Sequence, residues 1–379
     1  MPIYPWEGHY TDYSLPIYLV GVIGQRVICL SALYGDIGRL DLSNKLLGGF
    51  NFIKGITITS NQVATGQYLK LFQRILSLDS TVRFYGTPSW IDPNLSIILT
   101  EVKNMAKPIS DPNAFRQFEY SGWQQSVEQY DTSFGSLTSQ VIEPLLDSVH
   151  AGVDTKLLDI ASGPGYVAAR ASQRGCKVVG IDFSDAMVAK ARSAYPNIEF
   201  WQGEAEALPF SKSEFEAAVM NFGLLHLAQP EEALRQVFRV IRSKAKLGFS
   251  VWTKPEESVA FKIVLWAIET YGDSNVALPI GPPFFRYSEP EQCILALRNA
   301  GFSSPTVKVV PMVWEISDYT ELFDAFYKGT ARTGGLLRAQ TSQAIEDIRS
   351  AIRDAVSIYM RNNKLVIPMS SVLASAQKP

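Results

Sequence analysis

The hydrophobic and polar positions change their rhythm about a third of the way along the chain. From Asn113 onward, short apolar runs alternate with stretches of helical period. Residues 115–130 and 137–149 read as helices. Strands are then expected at 157–160, 177–181, 198–201, 217–221 and 247–252, with helices near 167–173, 185–195 and 230–242 between them. Further helices are expected at 318–328 and 342–360. Strands alternating with helices at this spacing predict an α/β fold, a parallel sheet covered on both faces. Ligands of such sheets sit beyond the carboxyl ends of the strands.

The earlier pattern is less regular. Segments 26–33, 55–59 and 81–85 read as strands. Ser60-Asn61 is placed to cap a helix reaching Leu76. Residues 1–107 are therefore expected to form a small α/β or α+β unit, and they carry no chemical motif. Lys107-Pro108-Ile109-Ser110-Asp111-Pro112 reads as a linker to a second unit over 113–379.

Composition narrows the class. Of 379 residues, 46% are hydrophobic and 19% charged, enough for a sizeable core and against global disorder. Lys+Arg is 35 and Asp+Glu 37, a net charge of -2, which argues against a broad nucleic-acid footprint. Cys29, Cys176 and Cys293 lie too far apart for a metal site or a disulfide framework and fit a reducing compartment. The apolar run 15–24 is too short for a membrane span. The first residues lack the basic start and clean apolar stretch of a signal peptide. A soluble cytoplasmic protein is expected, acting on a small molecule.

The candidate chemistry lies after each strand. The first is followed by Ala161-Ser162-Gly163-Pro164-Gly165, small enough for close approach to a ligand. The dinucleotide pattern G-x-G-x-x-G fails at Ala168, although alanine is sometimes allowed there. Asp159, just ahead of the loop, disfavours a pyrophosphate and suits a cationic ligand. Asp182 follows the glycine turn by about 20 residues, the right reach for two ribose hydroxyls. Ser184 can cap the next helix, which frees Asp182, and Met187 can pack on an adenine. After the third strand, Glu204 and the Ala205 N–H are placed to meet the adenine edge. Asn221 and Phe222 end the fourth strand, where substrate and reactive group would meet.

Taken in order, Asp159-Ile160-Ala161-Ser162-Gly163-Pro164-Gly165, Gly180-Ile181-Asp182-Phe183-Ser184, Gly203-Glu204-Ala205-Glu206-Ala207-Leu208-Pro209-Phe210 and Asn221-Phe222-Gly223-Leu224-Leu225-His226 resemble the motifs of class I S-adenosylmethionine-dependent methyltransferases. The nearest branch is the small-molecule group called methyltransferase type 11. Phe118-Glu119-Tyr120-Ser121-Gly122-Trp123 and Ala300-Gly301-Phe302 also resemble that branch.

The resemblance implies a Rossmann-like sheet of order 3-2-1-4-5-7-6 with the last strand antiparallel, under a helical lid from 113–150, 275–290 and 316–362. It implies that Asp159, Gly163 and Gly165 surround the methionine moiety, Asp182 the ribose, and Glu204 and Ala205 the adenine. Ser162, Phe183 and Met187 complete the cofactor set. Asn221 and Phe222 border the methyl-bearing sulfur, and Tyr130 closes the site. Two departures stand out. Glu204 replaces the usual Asp, and Arg242-Ser243-Lys244-Ala245 replaces a Lys-Pro-Gly-Gly turn before the fifth strand.

A sulfonium is already activated, so alignment and exclusion of water carry most of the chemistry. No metal or covalent nucleophile is required. A hydroxyl acceptor would benefit from a base, and His226 is the candidate, because an imidazole titrates near neutrality. His9 and His150 have no motif context. Trp252, Phe284, Phe285 and Arg286 are expected to form the acceptor pocket, favouring a small or medium apolar acceptor. The competing classes are an NAD(P)-dependent oxidoreductase and a catalytically silent S-adenosylmethionine-binding protein.

Overall fold

The computed structural model describes residues 17–23, 26–32, 39–41, 58–59 and 111–379. The chain divides into two compact units, Met1–Ile109 and Ser110–Pro379. In the first, β1 (Ile17–Ile23), β2 (Arg26–Ala32), β3 (Arg39–Asp41) and β4 (Ile58–Thr59) form an antiparallel sheet in that order. The apolar run 15–24 is thus largely a hairpin strand, paired from Ile17↔Ala32 to Ile23↔Arg26. The helix expected up to Leu76 and the strand at 81–85 lie outside the described residues.

The second unit opens with α1 (Pro112–Thr132). Asp111 accepts from the Asn113 N–H at 2.9 Å and Pro112 fills the first turn. Asp111 and Pro112, which close the segment read as a linker, are therefore a helix start, where proline costs nothing because its missing N–H would go unpaired. The helix expected at 137–149 is broken into α2 (Phe134–Thr138), a 3-10 turn and α3 (Ile142–Ser148). Pro144 has no N–H to offer the Gln140 carbonyl, so a continuous helix is not available.

The sheet follows: β5 (Lys156–Ile160), α4 (Tyr166–Gln173), β6 (Lys177–Asp182), α5 (Asp185–Ala194), β7 (Glu199–Gln202), β8 (Phe215–Asn221), α6 (Pro230–Val240), β9 (Ile241–Trp252), α7 (Val259–Tyr271), α8 (Pro290–Asn299), β10 (Ser303–Ile316), α9 (Tyr319–Gly329), α10 (Arg332–Arg338), α11 (Ser342–Val356), β11 (Met360–Arg361) and β12 (Lys364–Gln377). The spatial order is β7-β6-β5-β8-β9-β12-β10, with the two-residue β11 paired to β12. Counted within the sheet this is the expected 3-2-1-4-5-7-6. β12 runs antiparallel to β9, β10 and β11, and the other pairs are parallel. The central strands are buried on both faces: Leu157, Leu158 and Ile160 of β5 are fully covered.

Arg242-Ser243-Lys244-Ala245 is not a turn. It lies inside β9, with Lys244 in the left-handed region at φ 66°. The Lys244 N–H donates to the Lys378 carbonyl at 2.8 Å, and the Lys378 N–H to the Ala245 carbonyl at 2.9 Å. One irregular residue within a strand replaces the glycine-rich turn. Among the described residues, no helix is long and apolar enough to cross a membrane.

One ring fixes the layer between β6 and the first strand-end loop. Phe200 of β7 is buried against two glycines. A Cβ on Gly180 would lie 2.4 Å from its Cδ1, and one on Gly165 2.8 Å from its Cζ. Gly180 sits in mid-strand, so only close approach explains it. Gly180→Ala is expected to destabilise the unit by about 1–3 kcal/mol through overpacking, measured by chemical denaturation. An unchanged midpoint would show that the ring yields freely.

Candidate functional site

A cavity opens at the carboxyl ends of β5, β6 and β8 and holds about 1160 Å³, its open mouth included. Two strand-end residues other than glycine take the left-handed conformation, Ala161 and Phe222, each at φ 53°. Such backbone costs about 1–3 kcal/mol per residue and persists only where the surroundings hold it. At Phe222 the hold is visible. Its N–H is 3.1 Å from the Ser250 carbonyl and 3.0 Å from Ser250 Oγ. Ser250 Oγ in turn donates to Asn221 Oδ1 at 2.6 Å, and Asn221 Nδ2 donates to the Thr138 carbonyl at 3.2 Å. The turn after β8 is thus tied to β9 and α2, and both Asn221 and Phe222 line the cavity.

Asp182 joins two loops. Its Oδ2 accepts from the Gly163 N–H at 2.8 Å and its Oδ1 from the Ser184 N–H at 2.9 Å. Ser184 caps α5 by accepting from the Met187 N–H at 3.2 Å. Burial raises the Asp182 carboxyl to about 6, with the two N–H donors pulling the other way. Each oxygen keeps a second lone pair, and the side chain lines the cavity. Gly163, at φ 52°, has open space where a Cβ would stand.

Ser162, Phe183, Met187 and Ala205 also lie on the cavity wall, as do Tyr130 and His226. The Tyr130 hydroxyl, 3.2 Å from Thr138 Oγ1, is pushed up to about 12 by burial. Trp252, the last residue of β9, packs on Phe222 and lines the cavity, as does Phe284.

Five expected residues lie off the cavity wall. Asp159 is wholly buried in β5, and its Oδ2 accepts from the Ala168 N–H at 3.0 Å. It anchors the first turn of α4, and its other oxygen has no partner among the described residues. Gly165 faces the Phe200 and Tyr195 rings, so its role is packing. Glu204 pairs with Arg116 of α1 at 3.0 Å, half-exposed. Arg286 pairs with Glu231 at 2.6 Å, and Phe285 packs on Phe261 and Phe284. Each is drawn away by a partner that its own motif does not contain.

The cavity also gathers residues that sequence reasoning gave no role: Trp123 and Phe134 from α1 and α2, Phe261 from α7, and Arg332 from α10. Glu119, fully buried on α1, stands behind His226, with its Oε2 3.0 Å from Nδ1. The four-residue spacing of Glu119 and Trp123 puts both on one helix face. That spacing was the available signal. Nothing comparable marks Arg332, whose short helix was not anticipated. Among the described residues, no cluster of side chains has a metal-holding arrangement.

The family profile described as a methyltransferase domain matches residues 157–244, which run from β5 into β9. With the sheet order and the strand-end cavity, this makes the segment a class I, S-adenosylmethionine-dependent methyltransferase domain. S-adenosylmethionine is the cofactor of that class. The chain is 33% identical over 111 residues to a demethylmenaquinone methyltransferase of Renibacterium salmoninarum, covering 29% of this chain and 47% of the relative. It is 29% identical over 174 residues to one of Chlorobaculum tepidum, covering 43% and 71%. A ubiquinone/menaquinone biosynthesis C-methyltransferase of Cronobacter sakazakii is 36% identical over 109 residues, covering 26% and 43%. The chain spans about half the length of the first relatives it matches. A solved phosphoethanolamine N-methyltransferase of Haemonchus contortus, in complex with S-adenosylmethionine, aligns with a TM-score of 0.43 at 16% identity, over 72% of this chain and 61% of that one.

Burial pushes the Asp159 carboxyl up to about 8, with the Ala168 N–H opposing. A carboxyl whose folded value lies above the unfolded one, about 3.9, subtracts stability as pH rises between the two values. Asp159→Asn removes that loss. The melting temperature of the variant relative to wild type is expected to rise between about pH 4 and about pH 8. A constant difference would show that Asp159 stays ionised throughout.

Proposed function

We propose that the protein transfers a methyl group from S-adenosylmethionine to a small, apolar, quinone-like acceptor. The observation that carries the reading is one cavity lined by two kinds of surface. Gly163, Asp182, Met187 and Ala205 line it near the strand ends, and Trp252, Phe261 and Phe284 add aromatic surface to the same cavity. The relatives' names point to a quinone ring, and an aromatic wall suits one. Nothing in the cavity favours the nicotinamide reading, and the relatives named above are methyltransferases.

The fit to the cofactor rests on the residues present. Asp182 offers two free lone pairs to ribose hydroxyls. Gly163 leaves room for close approach to the loop, and Met187 with Phe183 gives the base an apolar seat. Asn221 is held by Ser250 and Thr138 beside the strained turn at Phe222. When bound, S-adenosylmethionine supplies an electrophilic methyl group on a sulfonium. The protein's part is to align the acceptor, keep water out between α1 and the sheet, and accept a proton at His226 Nε2 where the acceptor is a hydroxyl.

Charge-assisted hydrogen bonds are worth about 1.5–3 kcal/mol. Asp182→Ala should therefore weaken S-adenosylmethionine binding by roughly 10- to 150-fold in a folded protein, measured by calorimetry. Affinity in wild type should also fall as pH drops below about 6, where the raised carboxyl takes a proton. Unchanged affinity in the variant removes Asp182 from the cofactor site.

His226→Ala should lower kcat by roughly 10²–10⁴-fold on a hydroxyl-bearing acceptor with little change in cofactor affinity. Steady-state kinetics with a quinol acceptor reads the first and calorimetry the second. A change confined to KM would make His226 a wall residue and not a base.

A further inference from the structure

Two groups beside the cavity have no part in the transfer as described, Arg332 and the buried Glu119. Glu119 Oε2 accepts from Trp123 Nε1 at 3.0 Å and lies 3.0 Å from His226 Nδ1. Its Oε1 is buried and accepts from no group among the described residues. Arg332 Nε stands 3.9 Å from that oxygen, too far for a hydrogen bond. The Arg332 guanidinium lies over the rings of Phe115 and Phe284, at 5.1 and 5.3 Å, and donates from Nη1 to the Leu225 carbonyl at 3.3 Å. Its remaining N–H groups donate to no protein atom among the described residues, and the residue lines the cavity. Burial lowers the guanidinium from its ordinary value, with Glu119 opposing, but a guanidinium keeps its charge in a protein. A fixed cation therefore stands by His226, with two apolar rings beneath it and unspent donors.

From this constellation we infer that the acceptor carries a weakly acidic hydroxyl on an aromatic or quinol ring, with Arg332 receiving its oxyanion and Glu119 holding His226 so that Nε2 is the proton acceptor. The inference rests on the methyltransferase reading above and narrows its acceptor. A carboxylate oxygen only accepts, so Nδ1 carries the proton and Nε2 is left with a lone pair. Nε2 makes no hydrogen bond among the described residues. A cation within about 4–6 Å lowers the pKa of an acid by roughly 1–3 units, which brings a phenolic hydroxyl within reach of an imidazole. The bookkeeping closes. The O–H bond breaks and its proton goes to Nε2. The electron pair stays on oxygen and its conjugated ring. A bond forms from that oxygen or a ring carbon to the methyl group as the C–S bond breaks and its pair returns to sulfur. With a ring carbon, Nε2 first releases the hydroxyl proton to water and then takes the carbon's own proton, as the C–H pair returns to the ring and restores aromaticity. Glu119 touches no reacting atom and is a positioning residue.

The test uses the full chain with S-adenosylhomocysteine and para-nitrophenol, whose colour reports its ionisation. Bound dye should ionise at a pH at least about one unit below that of free dye. Arg332→Met should abolish the shift, and Arg332→Lys, which keeps the charge without the planar fork, should recover part of it. Nitrogen NMR of His226 should show the Nδ1-protonated tautomer in wild type and a larger share of the Nε2-protonated tautomer in Glu119→Gln, whose amide can donate to Nδ1, with kcat falling in step. Dye that binds only as the neutral phenol, a shift that survives in Arg332→Met, or an Nε2-protonated imidazole in wild type would each overturn the inference. Wild type that fails to bind S-adenosylhomocysteine would instead overturn the methyltransferase reading. Cofactor binding without dye ionisation overturns this inference alone.

Discussion

The site depends on a buried carboxylate that ties two loops together. Asp182 takes the Gly163 N–H on one oxygen and the Ser184 N–H on the other. This fixes the end of β6 against the loop after β5, which carries Ala161 and Gly163 in left-handed backbone. Without it, the loop would have little reason to hold a strained course. The same burial raises the carboxyl to about 6, so the protein keeps a group close to neutrality where it needs an ionised acceptor. A ligand that hydrogen-bonds the free lone pairs would favour the charged form and lower that value. Binding and ionisation are thus coupled at one residue.

Strand ends of the sheet and helices with no place in it both line the cavity. α1 reaches the sheet through polar contacts at its exposed face. Arg116 pairs with Glu204 and Glu206, Tyr120 donates to Asp185 at 2.8 Å, and Lys190 pairs with Asp131 at 3.1 Å. A partly exposed pair such as Lys190–Asp131 is worth about 0–1 kcal/mol, whereas Arg116 meets a Glu206 side chain that is only 7% exposed. The apolar side of α1 is more committed, with Phe115 buried and Trp123 edge-on to Tyr130 and His226. The helix is therefore registered by aromatic packing together with the covered Arg116–Glu206 pair.

Strand ends were legible because their chemistry is local. A parallel strand buried on both faces leaves a continuous apolar run, and the residue after it is where polarity returns. Asp182, Asn221 and Gly163 could be read in this way. Asp159 and Gly165 sit in the same motifs but serve the scaffold, one anchoring the start of α4 and the other clearing space for Phe200. A short motif does not tell a ligand contact from a packing requirement when both need a small residue or an acid. The contacts of Glu204 and Arg286 were not legible for another reason. Their partners, Arg116 and Glu231, lie far away in sequence, and a single chain without alignment gives no pairing signal. The break at Pro144 was legible in principle, since proline cannot continue the hydrogen-bond ladder. The N-terminal hairpin shows the converse, an apolar run whose pairing partner begins within three residues.

The polar groups around the cavity differ in how far the protein has already spent them. Asn221 gives its amide to Thr138 and its carbonyl oxygen to Ser250, so it is a fixed wall despite its polarity. Tyr130 is engaged with Thr138 and held protonated by burial. Asp182 has half its acceptors left. His226 and Arg332 retain the most capacity, and both stand beside the Phe284 ring. Unspent hydrogen-bonding capacity in a buried site is costly unless something fills it. The distribution of that cost places an acceptor-only group at the strand loops and a proton acceptor with a cation among the rings. A cofactor rich in hydroxyls answers the first, and an oxygen-bearing ring answers the second.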